Sequence, residues 1–355
     1  MSTTIQTIDN LDEEEIADFV SGVFRNHYRG RSIVPIWTAE YLKWNMVCSH
    51  GYHAFGAFKN GELVGFIMGF HKSYQYKGND LDGVLGSWLS ADTSKSSHLF
   101  SFKLINRLIK GAFKEANNHA KDLIIFYTDP SSGNQHLWKR MAPKIGADRI
   151  KKSSFYAKIF NVKKVLDSEW HSPLGHQFLR MKHFYDIPQV DLIHGQVRPF
   201  EKKDVDECLL LLNRKKGAAV LSRMWSKEEL ENQLQYRSLA NSHLYYKKDT
   251  LHGVINYHLL NLIGKTTIRG AFIDFICCYD LTLKEKIAFM NASLTFLKDI
   301  GCDIVLISEN GMEEKIPLFL TGFVNAQRSM NTMMITNESK AFRYESKKKV
   351  FIELR

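Results

Sequence analysis

Hydrophobic and polar positions fall along this chain in blocks that alternate between the period of a helix and that of a strand. Asn10 to Arg25 reads as a first helix, with Asp9 or Asn10 as cap, acids in the first turn, and Leu11, Ile16, Phe19, Val20 and Phe24 on one face. Trp37 to Met46 predicts a second, short helix that offers Tyr41, Leu42 and Trp44 for packing. Tyr52 to Phe58 and Leu63 to Phe70 are apolar strands, and Asn60-Gly61 between them suits a two-residue hairpin because both positions tolerate φ > 0. After a polar spacer, Lys72 to Asp80, come a buried strand (Val84 to Ser90), a small polar loop (Ala91 to Ser97) and an amphipathic helix. Phe100, Leu104 and Leu108 line that helix, with Ile105, Ile109, Ala112 and Phe113 beside them. Leu123 to Tyr127 is a continuous apolar run, as in a strand buried on both faces. A turn at Asp129 to Gly133, a helix from Asn134 to Met141 and a strand from Ile150 to Phe160 close the unit.

From Asn161 to Gln189 no period is sustained, which reads as a surface linker or as an extra helix near Gly175 to Tyr185. The order of elements then repeats. Val197 to Phe200 is a short strand, Lys202 to Arg214 a helix, and Ser226 to Tyr236 another, opened by the capping-box pair Ser226 and Glu229. His243 to Tyr246 and Val254 to Leu260 pair as strands, and Thr267 to Cys278 is a long strand. The helix Thr282 to Ile300 carries Leu283, Ile287, Met290, Leu294 and Leu297 on one stripe and ends at Gly301. Ile304 to Ile307 is a buried strand, Glu313 to Leu320 a short helix, and Val324 to Ile335 a last strand with Val350 to Leu354 beside it. The expectation is an α+β chain of two tandem domains, residues 1–165 and 192–355, joined by a linker at 166–191.

Composition narrows the class. A chain of 355 residues with 44% hydrophobic and 24% charged positions is an ordinary globular one with room for two cores. No apolar run nears the roughly 20 residues of a membrane span, and the acidic start MSTTIQTIDNLDEEE is neither a signal nor a transit peptide, so a cytoplasmic location is expected. Cys48, Cys208, Cys277, Cys278 and Cys302 are scattered and form no CxxC pair, which argues against disulfides and structural zinc. Cys48, His50 and His53 form a C-x-H-x-x-H run without a nearby fourth ligand, so no metal is expected. The net charge of +10 suits a phosphate-rich ligand, and its dispersion along the chain argues against a nucleic-acid stripe.

The segment Leu81 to Ile109 draws these observations together. Strand, polar loop and helix N-terminus make a place where backbone N–H groups meet an anion; Asp92 is the loop's acid and Lys95 adds positive charge. This order, with Lys95, Ser96, Ser97, His98, Leu99 and Phe100 between strand and helix, resembles the cofactor signature of the GNAT acyltransferase (N-acetyltransferase) superfamily. Leu99-Phe100 is similar to the Gly-Leu-Phe ending of one bacterial subgroup, Glu40 to Trp44 to its aromatic helix, and Lys144 to Ala147 to its Lys-x-Gly-Phe. The motif is degenerate. Lys95 stands for the usual Arg or Gln, and His98 and Phe100 stand for glycines that let the backbone approach the pyrophosphate. In the second unit Tyr279 to Lys286 has no glycine and places Asp280 near a helix start, where it would repel a pyrophosphate.

The resemblance implies an acyl-CoA co-substrate, most simply acetyl-CoA, held by Leu89, Ser90, Lys95, Ser96, Ser97, His98, Leu99, Phe100 and Asn134. It implies transfer to an amine of a small molecule or peptide. The family's chemistry uses a base on the amine, backbone N–H groups on the thioester carbonyl and an acid for the thiolate. Ser87, Ser90, Asp92, Tyr127 and His136 lie near the strand ends, and none matches a family acid or base. A non-catalytic binding module and transfer from an acyl carrier protein are the alternative expectations.

Overall fold

The computed structural model describes residues 3–30, 32–92, 94, 99–115, 121–129, 139–168, 187, 195–216, 219–309, 311–312, 314–337 and 350–352. In the first half the elements are β1 (Thr3–Thr7), α1 (Glu13–Tyr28), β2 (Val34–Pro35), α2 (Ala39–Val47), β3 (Tyr52–Lys59), β4 (Glu62–Tyr76), β5 (Asn79–Ala91), α3 (Leu99–Lys110), β6 (Leu123–Thr128), β7 (Ala147–Ile159) and α4 (Val162–Ser168). The second half holds β8 (Gln196–Pro199), α5 (Val205–Lys216), β9 (Leu221–Met224), α6 (Lys227–Leu234), β10 (Ala240–Lys247), β11 (Thr250–Ile263), β12 (Thr267–Cys278), α7 (Leu283–Asp299), β13 (Ile304–Ser308), α8 (Lys315–Leu320), β14 (Val324–Thr336) and β15 (Val350–Phe351).

Local chemistry explains most boundaries. Asn60 (φ 56°) and Gly61 (φ 81°) turn the β3–β4 hairpin as the sequence predicts. Thr282 caps α7 in a reciprocal box with Glu285, and Gly301 follows its end with φ 86°. The cap of α1 is Asp12 rather than Asp9 or Asn10, because its carboxylate reaches the N–H groups of Glu14 (3.1 Å) and Glu15 (2.9 Å). The stretch Lys72 to Asp80 is no spacer. It is the far end of a long hairpin turning at Lys77-Gly78, and β9 pairs with its Ser73–Tyr76 edge. Val350 likewise pairs with β9, not with β14.

One sheet runs through both halves in the order β1-β3-β4-β5-β6-β14-β7-β13-β12-β11-β10-β8. Along this path only β5–β6 and β12–β13 are parallel. The halves interleave: β14 from the second lies between β6 and β7 of the first, and β7 in turn pairs with β13. Helices α1 and α2 cover one face of the first half, packing Ile16, Val20, Tyr41, Leu42 and Trp44 on Phe66, Met68 and Trp88. Leu104, Ile105 and Leu108 of α3 cover the other face with Val84, Ile124 and Phe126. The architecture is α+β, with a large, mostly antiparallel sheet flanked by helices.

Candidate active site where the strands part

β5 and β6 pair in register only from Gly83–Leu123 to Gly86–Phe126. Beyond that point β5 stays with β4 while β6 goes with β14, so the sheet opens. Gly86 sits where the Phe126 ring presses on the backbone, too close for any Cβ. At the opening Ser87 faces Met68 and Ser90 faces Phe66, so three steps on β5 answer two on β4. The bulge puts Trp88 at φ 57°. A left-handed conformation costs a non-glycine residue about 1–2 kcal/mol. Trp88 is held in it by packing: its ring centroid lies 5.5 Å from Trp37 and 6.1 Å from Tyr41. We therefore expect W88A to lose about 3–5 kcal/mol of stability for the lost ring. W88G should be the more stable of the two by about 1 kcal/mol, because glycine removes the backbone strain. Urea denaturation of both variants checks the order.

Of the residues expected to hold a cofactor, Leu89 packs toward α3 and Ser90 is buried, its Oγ without a hydrogen-bond partner among the described residues. Leu99 and Phe100 are the first residues of α3, with side chains outside the description; Lys95, Ser96, Ser97, His98, Asn134 and His136 lie outside the described residues. Asp92 accepts from the backbone N–H (2.9 Å) and hydroxyl (2.6 Å) of Ser94, and its own N–H bonds Val64. Tyr127 packs with a cluster that includes Tyr74 and Ile125. Cys48 ends α2, and His50 lies 3.3 Å from both Glu229 and Asp82.

The second half parts in the same way. β12 and β13 pair from Gly270–Ile304 to Ile273–Ile307, and a bulge follows at once, opposite Asn256 and Tyr257. Here the helix N-terminus beyond the opening is filled by the chain itself. Glu285 Oε2 accepts from the Thr282 N–H and hydroxyl, both at 2.8 Å, and Oε1 from Lys247 at 2.7 Å. The Lys247 and Thr282 hydrogen bonds hold the Glu285 carboxyl down to about 2.

Aromatic residues of α1 and α2, with Trp37 just before α2, pack between Trp88 and His258. Phe24 contacts Trp37, Trp37 contacts Trp88, and Tyr41 reaches both Trp88 and His258 of β11. Tyr28 donates its hydroxyl hydrogen to Asp129, just past β6, at 3.3 Å. The aromatic helix around Trp37 to Trp44 is expected from sequence as one side of an acceptor cleft, whereas nothing in the sequence announces the two bulges.

One sheet parted twice between parallel strands, each time with a bulge beside the gap and a helix after it, is a tandem GNAT-like fold. N-myristoyltransferase of Saccharomyces cerevisiae, solved with bound myristoyl-CoA, superposes with TM-score 0.75 at 14% identity, over 99% of this chain and 89% of that one. A conserved Enterococcus faecalis protein of unknown function, described as a probable N-acyltransferase, matches with TM-score 0.54 at 12% identity, over 94% of this chain and 72% of that one. No family model matches the chain, and no curated protein matches it by sequence. At these identities the likeness is one of fold.

Proposed function

We propose that this chain is an acyl-CoA-dependent N-acyltransferase. The observation that carries the reading is the opening between β5 and β6 with the Trp88 bulge at its edge. A bulge leaves its extra residue out of the ladder, so a backbone N–H there is offered to a thioester carbonyl oxygen, as acyl transfer requires. The pyrophosphate would lie at the polar loop before α3, with Leu89, Ser90, Lys95 to Phe100 and Asn134 as its surroundings and Lys95 as the charged partner. The second half gives no equivalent berth, since Glu285 occupies the helix N-terminus where an anion would bind. Residues 1–165 are thus the donor unit and residues 192–355 the unit without a cofactor.

The acceptor is an amine, of a small molecule or a peptide, reached beneath α1 and α2. Acetyl is the simplest acyl group. The myristoyl-CoA bound by the yeast neighbour makes a long chain the other donor to try. Calorimetric titration with acetyl-CoA and with myristoyl-CoA tests the reading. One donor should bind at one per chain, and K95A should weaken it most at low salt, where a phosphate contact is least screened. No heat with either donor at millimolar concentration would sink the proposal.

A further inference from the structure

Basic clusters that look dispersed along the chain are gathered by the fold. Residues 95–152 hold twelve Lys and Arg against four Asp and Glu, a surplus of eight in a chain whose net charge is +10. Pairing with those four carboxylates cannot remove the surplus. Two of them also serve elsewhere: Asp122 is buried and accepts from the Asp82 N–H, and Asp129 accepts from the Tyr28 hydroxyl.

One core brings the cations together. On α3, Lys103, Arg107 and Lys110 recur at helical spacing on the side away from the buried Leu104, Ile105 and Leu108, and the helix carries no acid. Met141, Ala142 and Ile145 pack in the same core, so the exposed Lys139, Arg140 and Lys144 lie beside α3. On β7, Arg149 stands opposite Met333, another residue of that core, and Lys152 stands opposite Asn331, two residues away from Met333 on β14. Alternation along β14 puts both on the α3 side of the sheet and puts Asp148, opposite Met334, on the other. Eight cations thus share one face of the first half. That face is broad, since α3 alone is about 18 Å long, and an anion at the loop before α3 would reach only one end of it. Protein surfaces ordinarily intersperse the two signs. Among the described residues no large apolar side chain between 99 and 152 is exposed. The face therefore lacks both the apolar centre of a lasting protein interface and the aromatic platforms that hold single-stranded nucleic acid. It suits an extended polyanionic surface bound by charge alone.

We propose that this face docks the chain on an anionic lipid bilayer, with α3, the segment 139–145 and β7 turned to the headgroups. Nothing in this depends on the acyltransferase reading. Each Lys or Arg held near an anionic leaflet adds to the attraction, and the sum fades within a Debye length. With no apolar side chain to insert, adsorption is reversible and sensitive to salt.

Co-sedimentation of the full chain with vesicles of phosphatidylcholine, with and without about 30% phosphatidylserine, tests the surface. At about 0.1 M salt the chain should bind the anionic vesicles at least about tenfold more tightly than the neutral ones, and about 0.5 M salt should release it. K110E, R140E, R149E and K152E combined should weaken binding at least about tenfold, and glutamine at the same four positions should weaken it less. A matched set on the second half, K202E, K203E, K227E and K298E, changes the net charge equally and should cost no more than about threefold. Urea transitions report whether each variant is folded, and the glutamine set decides if the glutamate set is not. Failure to bind anionic vesicles, equal binding to both kinds, or equal losses from the two glutamate sets would each overturn the bilayer surface. Capture of a duplex RNA oligomer without vesicle binding would overturn it in favour of nucleic acid. Calorimetry of the same variants with both CoA donors reads the acyltransferase proposal separately.

Discussion

Expressed alone, residues 1–165 should fail to reach a cooperative fold. The sheet order gives the reason: the strand beside β6 on its far side is β14, and β7 pairs with β14 and β13, all from the second half. Without them β6 becomes a bare edge reading Leu-Ile-Ile-Phe-Tyr, a template for aggregation. The core under α3 also loses Met333 and Ile335, which pack there from β14. Deleting residues 324–355 from the full chain should do the same to the first half. The fragment is expected to aggregate on gel filtration and to lack a denaturant transition, whereas coexpression with 166–355 should restore a soluble complex. A soluble 1–165 fragment with a sharp urea transition would refute this account.

What the sequence disclosed and what it hid divide along the range of the interactions. The Asn60-Gly61 turn, the start of α7 at Thr282, its end at Gly301 and the stripe Met290, Leu294 and Leu297 are local, written in neighbouring residues, although Leu283 at the head of that stripe is 46% exposed. The interleaving of β7 and β14 is not local. Strand partners so far apart in sequence leave no periodic trace, and two repeated units suggest two self-contained sheets. β9 was invisible for the same reason: Leu-Ser-Arg-Met has no alternation, and it is a strand because β4 and β15 lie beside it. At the site, Val84 to Ser90 reads as an uninterrupted strand, since nothing in a tryptophan announces a positive φ. His258 and Asp274 become a pair only through the register of β11 with β12, displaced by the bulge itself. The strand–loop–helix order beyond β5 was legible; the pairing across β11 and β12 needed the fold.

Glu229→Ala should be among the most damaging single changes in the chain. Two buried cations meet the end of α2: Lys72 Nζ and Arg223 Nη2 both donate to the Cys48 carbonyl at 2.6 Å, and their residues are 1% and 2% exposed. A helix C-terminus favours cations but supplies only a partial charge. Glu229 on α6 adds a full negative charge whose field they share. Burial pushes its carboxyl up, yet the His50 hydrogen bond and the fields of Arg223 and Lys72 outweigh that and hold it below the ordinary range. Removing it takes a buried negative charge from beside two buried cations and from His50, and deleting one side of such a buried charge cluster costs about 3–5 kcal/mol. Asp82, on the other side of His50, is 41% exposed but also holds the buried Lys121 at 2.6 Å, so D82N should cost about 1–3 kcal/mol, less than E229A. His50 adds a pH dependence of known sign. Hydrogen bonds to Asp82 and Glu229 raise it from 6.5 to about 9, so its contribution is complete below pH 6.5 and fades as pH rises through 9. Burial pushes Asp82 up, but hydrogen bonds from His50 and Lys121 hold it down to about 2, so its share survives until pH falls toward that value. Urea midpoints of wild type, E229A and H50Q at pH 6 and pH 9.5 decide the matter: the gap between wild type and H50Q should narrow at the higher pH, while E229A stays far below both. Equal midpoints for E229A and D82N at pH 6 would show that the two buried cations find their compensation elsewhere.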